Sequence, residues 1–233
     1  MSGPLLFSIF TLVHATIALG ALLAIAELPL AALCLFIVEA VTAFDNGITV
    51  AGNRLGIAPR TAAINRLRFL LHATCIGLLL PVYAHIGAAL AFPKDLAGFI
   101  NALAWVLALV LGGYGYFVQY RGMSSLMPVN YYGCLRYAQA VSERTRHPDY
   151  NYSVAELAAR GRLPVVSIVT TLAGLIIALL IGWQGSFWVP FIVTSLMLLA
   201  GGLPLRSWGP LATSCLEIVF SAGMLYSLLV AAG

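Results

Sequence analysis

Runs of about twenty apolar residues follow one another along this chain, and each is long enough to cross a lipid bilayer as a helix. They cover about 5–26, 28–48, 64–91, 98–119, 163–183, 187–205 and 209–231. Of the 233 residues 61% are hydrophobic and only 9% are charged, against roughly 25% charged in soluble domains, so lipid must be the solvent for most of the surface. In lipid each run must satisfy its own backbone groups, which leaves helices or a closed barrel. The runs are continuous and lack the two-residue alternation of barrel strands. The expected fold is therefore all-α: a polytopic membrane protein, a seven-transmembrane-helix bundle making one domain over 1–233. The first run has no basic segment ahead of it and is long enough to span, so it is taken as helix 1 rather than a cleaved leader.

Charge sets the expected orientation. Arg54, Arg60, Arg66 and Arg68 lie around the link from helix 2 to helix 3. Arg121, Arg136, Arg144, Arg146, Arg160 and Arg162 lie between helices 4 and 5, and Arg206 between helices 6 and 7. Lys94 alone falls on the other side. Cytoplasmic loops carry the excess of basic residues, so the N-terminus is expected in the cytoplasm, and the protein in a bacterial inner membrane. The net charge of +4 arises from this distribution and not from a basic patch, so no nucleic-acid partner is expected. Cys34, Cys75, Cys134 and Cys215 form no CxxC and read as small apolar fillers. Trp105, Trp183, Trp188 and Trp208 read mostly as members of an aromatic belt. The sequence sets no oligomeric state.

The stretch 120–162 is the one substantial polar part, an expected cytoplasmic amphipathic loop. A surface helix is expected near 131–144, with tyrosines at headgroup level and arginines toward lipid phosphate. His147-Pro148-Asp149 is a turn signal. Ser153-Val154-Ala155-Glu156 is a capping box that starts a short helix, with Gly161 as its stop. The loop serves either as a membrane-surface cover or as a lid over a cytoplasmic entrance.

Glu39 is the only charge within Leu28–Phe44, and Glu217 repeats the feature in the last run. A charge in hydrocarbon costs at least about 2.5–3.5 kcal/mol, so each requires a partner or a role. At 100° per residue Glu39, Asn46 and Asn53 fall within about 40° on helix 2, with Thr42 about 60° round and Asp45 about 60° further. Asn65, Arg68 and His72 share a face of helix 3. Arg68 with Asp45 is the natural ion pair, which leaves His72 to approach Glu39 or Asn46. His14, Glu217, Thr170, Thr171, Thr194 and Ser195 lie at comparable depth, which points to a polar pocket in the cytoplasmic half of the bundle. Tyr114, Tyr116 and Tyr120 either line its mouth or belong to an aromatic belt. His14 alone, or the Asp45–Arg68 pair alone, would serve equally as a link between helices.

A buried carboxyl group holds its proton toward neutral pH, and two on facing helices can divide acid and base roles. Aromatic walls can stabilise a carbocation. These parts suit proton-initiated cyclisation, isomerisation or hydration of a lipid without a cofactor. Seven spans in a chain of this size, with one carboxylate in helix 2 and another in helix 7, resemble the integral-membrane meroterpenoid terpene cyclases of the pyripyropene type. That resemblance implies that Glu39 and Glu217 protonate an epoxide or alkene and guide ring closure on an isoprenoid. Glu39-x5-Asp45-Asn46 is also similar to the E-x5-D-N signature of TerC-like membrane proteins, which implies metal-ion export.

Absences narrow the classes. No lysine lies within a run, against a retinal Schiff base, and there is no HExxH, Walker A or GxSxG motif. Glu39, Asp45 and His72 could suit a hard or borderline cation, but their spacing is no ligand signature, so no metal is expected. The leading expectation is an integral membrane enzyme acting by acid–base chemistry on a hydrophobic, isoprenoid-class substrate in contact with membrane lipid. Glu39 would be the acid, Asp45 and Glu217 its partner carboxylates, with His72, Arg68, Asn46, Asn65, His14 and Thr42 orienting substrate and acid. The alternatives are a proton- or metal-ion-coupled transporter and a non-catalytic subunit of a membrane complex.

Overall fold

The computed structural model describes residues 2–123, 126–161, 163–202 and 209–233. Arg162, Arg206 and Trp208, used above for orientation and belt, lie outside the described residues. Helix α1 (Gly3–Ala21) continues in a tight turn to Ala24 and is followed by α2 (Pro29–Leu55), α3 (Pro59–Cys75), α4 (Leu79–Leu90) and α5 (Lys94–Tyr114). After the polar stretch, which includes the short α6 (Val154–Ala158), come α7 (Val165–Gly185), α8 (Val189–Gly202) and α9 (Gly209–Ala232).

Among the described residues six stretches are long and apolar enough to cross a membrane: Gly3–Ala24, Pro29–Leu55, Pro59–Leu90, Lys94–Tyr120, Val165–Gly185 and Thr213–Ala232. Of the run expected at 187–205, α8 covers Val189–Gly202, and 203–205 lie outside the described residues. On the outside, Leu12, Leu23, Leu109, Ile176 and Trp183 are each more than 60% exposed. Apolar side chains that stand this far out on every side are a lipid-facing surface. The protein is mostly helical and multi-pass.

Proline and glycine place the breaks. Pro29 and Pro59 sit in the first turns of α2 and α3, where a missing N–H costs nothing. Gly56, at φ 67°, ends α2 in a conformation open to glycine. Pro81 would set its ring against the carbonyl of Gly77, and the chain tightens over Ile76–Leu78 before α4 begins. Leu35, Leu80, Tyr83, Ile181, Met224 and Leu228 are enclosed where α2, α4, α7 and α9 converge. The Tyr83 hydroxyl is bonded to Thr194 of α8 at 2.5 Å, and Thr194 donates to its own Pro190 carbonyl at 2.6 Å, so both of these buried hydroxyl hydrogens find acceptors.

The surface helix expected near 131–144 is absent, and a β-hairpin takes its place. Strands β1 (Met127–Tyr131) and β2 (Cys134–Ala138) pair antiparallel, with Tyr131 opposite Cys134. Tyr132 and Gly133 both have positive φ, 53° and 81°, the two-residue turn whose twist matches paired strands. The Asn130 side chain accepts from Gly133 N–H at 2.9 Å and fixes the turn. Pro128 falls at a pair that exchanges no ladder bonds, where its missing N–H is harmless.

Side chains of the bundle take the place of a third strand along β2. Asn53 donates to the Gly133 carbonyl at 2.7 Å and accepts from Leu135 N–H at 2.6 Å. Asn65 accepts from Tyr137 N–H at 3.3 Å, and Arg68 donates to the Tyr137 carbonyl at 3.0 Å. These bonds satisfy the outward-facing Leu135 N, Tyr137 N and Tyr137 O, while the Leu135 carbonyl is covered by Gly52, so the edge is closed to other chains. Close seating requires Gly52, where a Cβ would collide with the Leu135 carbonyl. Gly52→Ala should therefore destabilise the fold by about 1–3 kcal/mol and open the hairpin to protease. Thermal unfolding in detergent with limited proteolysis reads both effects, and an unshifted melt with an intact hairpin would show that this seat is not tight.

The rest of the polar stretch follows its local signals. The turn at His147-Pro148-Asp149 closes with Tyr150 N–H on the His147 carbonyl. Ser153 caps α6, with Glu156 returning bonds to Ser153 N–H and Oγ at 2.8 Å. These bonds and the Tyr150 hydroxyl hold the Glu156 carboxyl below the usual carboxylate range. The helix ends at Ala158, before Gly161, because Ala159 already turns extended.

Candidate functional site

Two polar clusters arise from one helix. Glu39 and Asp45 are six residues apart on α2, which turns them about 120° from each other and spaces them about 9 Å along the axis. Glu39 therefore faces α1, while Asp45 faces α3 and the hairpin.

Glu39 is 1% exposed and its carboxylate meets His14 Nδ1 at 2.7 Å. Its partner is thus His14 of α1, not the His72 expected from helix 3. Glu217 of α9 is partly exposed and shares the electrostatic field of His14, Glu39 and Asp45, without a direct bond to any of them. Thr42 and Asn46 bond to α2's own carbonyls at Val38 and Thr42. They brace the helix rather than line a cavity.

Asp45 is held by two cations. Arg68 donates to its Oδ1 at 3.0 Å, the pairing the sequence led us to expect. Arg136 of β2 donates to Oδ1 at 2.9 Å and to Oδ2 at 3.2 Å. Arg136 also lies over the Tyr131 ring, 5.0 Å from its centroid. Burial and the neighbouring Tyr132 and Asp45 push the Tyr131 phenol above its usual range, against the pull of Arg136, so it stays a neutral ring under the guanidinium. Arg68 is 3% exposed, so its charge is compensated by Asp45 inside the protein.

Beside this clasp is a cavity of about 240 Å³, open on one side. It lies between α3, the end of the α5 extension, the hairpin and the start of α7. Asp45, Arg68, His72, Arg136 and Gln139 form its polar wall, and Phe69, Met123, Leu163 and Pro164 its apolar one. Tyr120 lines it, whereas Tyr114 and Tyr116 are exposed on the outer face and stand away from it. Three buried polar atoms of the wall, Arg68 Nε, His72 Nδ1 and Gln139 Oε1, have no hydrogen-bond partner among the described residues. Native interiors rarely leave such atoms unpaired, so three around one cavity point to an occupant that pairs them.

The extension of α5 helps make this space. Over Gly115–Tyr120 it widens to a π-helix, the local form often found at functional sites. Gly115 lies against the Ala73 carbonyl, where any Cβ would collide, and this brings the α5 end close to His72 and Ala73. Gln119 is tied to the Leu163 carbonyl at 3.0 Å, which joins the two sides of the mouth.

Of the residues expected to form one site, the structure brings Asp45, Arg68 and His72 to the cavity and Asn65 to its hairpin wall. Glu39 and His14 form a separate pair. Arg136 and Gln139, both from the polar stretch 120–162, also belong to the site. Asn65, Arg68 and His72 already shared a helix face, and Arg136 alternates with the buried Leu135 and Tyr137 along β2. Among the described residues no group of three His, Cys, Asp or Glu side chains converges as metal ligands do. No family model matches the chain, and no curated protein or solved structure matches it.

Proposed function

We propose that the chain is an integral membrane enzyme that acts by acid–base chemistry on a hydrophobic, isoprenoid-class substrate drawn from the membrane. The observation that carries this reading is the open cavity whose wall joins apolar side chains to polar ones, three of whose buried atoms have no hydrogen-bond partner among the described residues. An apolar wall takes up hydrocarbon, and a few convergent polar groups fix the reacting end. His72 is the group we assign to proton transfer. Its ring nitrogen is free, an imidazole changes charge near neutral pH, and Arg68 and Arg136 nearby can stabilise developing negative charge. In this reading α8 completes seven crossings, the N-terminus and the hairpin lie on the cytoplasmic side, and the membrane is the bacterial inner membrane.

His72→Gln should lower turnover by about 10²–10⁴-fold while leaving the fold intact, because glutamine fills the space without carrying the proton. Mass spectrometry of lipids co-purified with wild type and His72→Gln tests it. A lipid that accumulates only in the variant supports the reading, and identical lipid profiles would remove His72 from the role.

A second reading, a proton-coupled carrier, is favoured by one separate observation: the His14–Glu39 pair, buried between two spans. Proton flux that follows solute movement and disappears in Glu39→Gln would favour it over the enzyme.

A further inference from the structure

We propose that the cavity beside Asp45 binds a phosphate group, and that the phosphate is the head of an anionic lipid. The proposal rests on reading this cavity as the substrate site, and it adds the charge the substrate carries. Two guanidinium groups face one carboxylate here, so the wall keeps an excess of positive charge after Asp45 is counted. Arg68 commits its two terminal nitrogens to Asp45 and to the Tyr137 carbonyl, and its Nε–H is left without an acceptor. Arginine has five donors in a planar fork and no acceptor, so only an acceptor atom can satisfy that hydrogen. His72 Nδ1 offers a second donor site when it carries the proton, and Gln139 Oε1 can accept from a protonated phosphate oxygen. A phosphate monoester can meet these partners through separate oxygens, several acceptors and one hydroxyl, and its negative charge answers the excess positive charge of the wall, whereas a neutral alcohol would have to meet all three through a single uncharged oxygen.

Depth selects a lipid over a soluble ion. The cavity sits where the span ending at Tyr120 and the span beginning at Val165 both stop, which is headgroup level. Its rim is apolar, with Leu163 73% exposed beside Pro164 and Met123. A hydrocarbon chain can leave over that rim along the outer face of the bundle, with its head held among the arginines.

Matched probes with one tail and two heads test this on the purified full chain. Binding of farnesyl phosphate, farnesol and inorganic phosphate would be measured in detergent by native mass spectrometry and equilibrium titration. Farnesyl phosphate should bind at least about tenfold more tightly than farnesol, the factor that a charge-assisted hydrogen bond supplies. Arg136→Gln should erase most of that difference, and Arg136→Lys should keep part of it. Equal binding of farnesyl phosphate and farnesol would overturn the phosphate site and leave the acid–base reading with an uncharged substrate. No binding of either prenyl compound would overturn both. Inorganic phosphate binding as tightly as farnesyl phosphate would overturn the lipid source and make this a site for free phosphate. If Arg136→Gln fails to fold, the comparison of the two prenyl compounds on wild type decides alone.

Discussion

Asp45→Asn should loosen the hairpin from the bundle and destabilise the protein by about 3–5 kcal/mol, the cost of breaking a buried ion pair by removing one partner. The change is nearly isosteric, so packing stays the same and only charge is lost. Two guanidinium groups then face each other across a neutral amide, one of them on a side chain 3% exposed. Arg68 cannot retreat, because its other nitrogen holds the Tyr137 carbonyl of β2. The fall should show as a lower melting temperature in detergent and as new protease cleavage near the hairpin. Asp45→Asn combined with Arg136→Gln removes one of the two repelling charges and should recover part of the loss. An unchanged melt in the single variant would mean that the hairpin is held by Asn53 and Asn65 alone.

The second large effect belongs to the other cluster. Glu39→Ala leaves His14 buried at 1% exposure without its 2.7 Å partner, again a loss of about 3–5 kcal/mol. Glu39→Gln keeps an acceptor for the imidazole and should lose far less. The double variant His14→Phe with Glu39→Leu exchanges the pair for apolar side chains of similar volume and should restore stability to near wild type. Its lipid profile then separates the roles. A stable double variant with wild-type lipids makes the pair a helix link, and one with altered lipids makes it part of the chemistry. Thermal unfolding of all three variants reads the first half of this, and a melt of Glu39→Ala equal to wild type would contradict the buried pairing itself.

Much of the helical layout was legible because its causes are local or periodic. Apolar runs, Pro29, Pro59 and Gly56 fix helices and ends by mechanisms that act within a few residues. The Asp45–Arg68 pair was legible because consecutive antiparallel helices must meet face to face. The capping box at Ser153 was legible for the same local reason. The hairpin was not. Its turn uses Tyr132-Gly133 in place of the commoner Asn-Gly, and the burial along β2 does not alternate cleanly, since Cys134 and Leu135 are both buried. What makes β2 a strand is a set of partners 72 to 82 residues earlier, Asn65 and Asn53, which no local pattern contains. Glu39's choice of His14 over His72 was misjudged for a related reason. Glu39 and Asp45, about 120° apart on α2, present two faces to different helices, and the angle alone does not say which helix meets which face.

The clasp at Asp45 also bears on the order in which the chain is made. Arg68 follows Asp45 by 23 residues, whereas Arg136 follows it by 91, after two further membrane stretches. A lone Asp or Arg at the centre of an inserting helix is penalised by about 2.5–3.5 kcal/mol at the translocon. If α2 and α3 leave it together as one helical hairpin, the two charges enter lipid already neutralised by each other. Arg136 then arrives from the aqueous side to a carboxylate that is already in place, and the β-hairpin docks onto a finished pair of helices. On this order the nascent chain would bury its most costly charges as a matched pair, and the positive charge that gives the cavity its character would be added last.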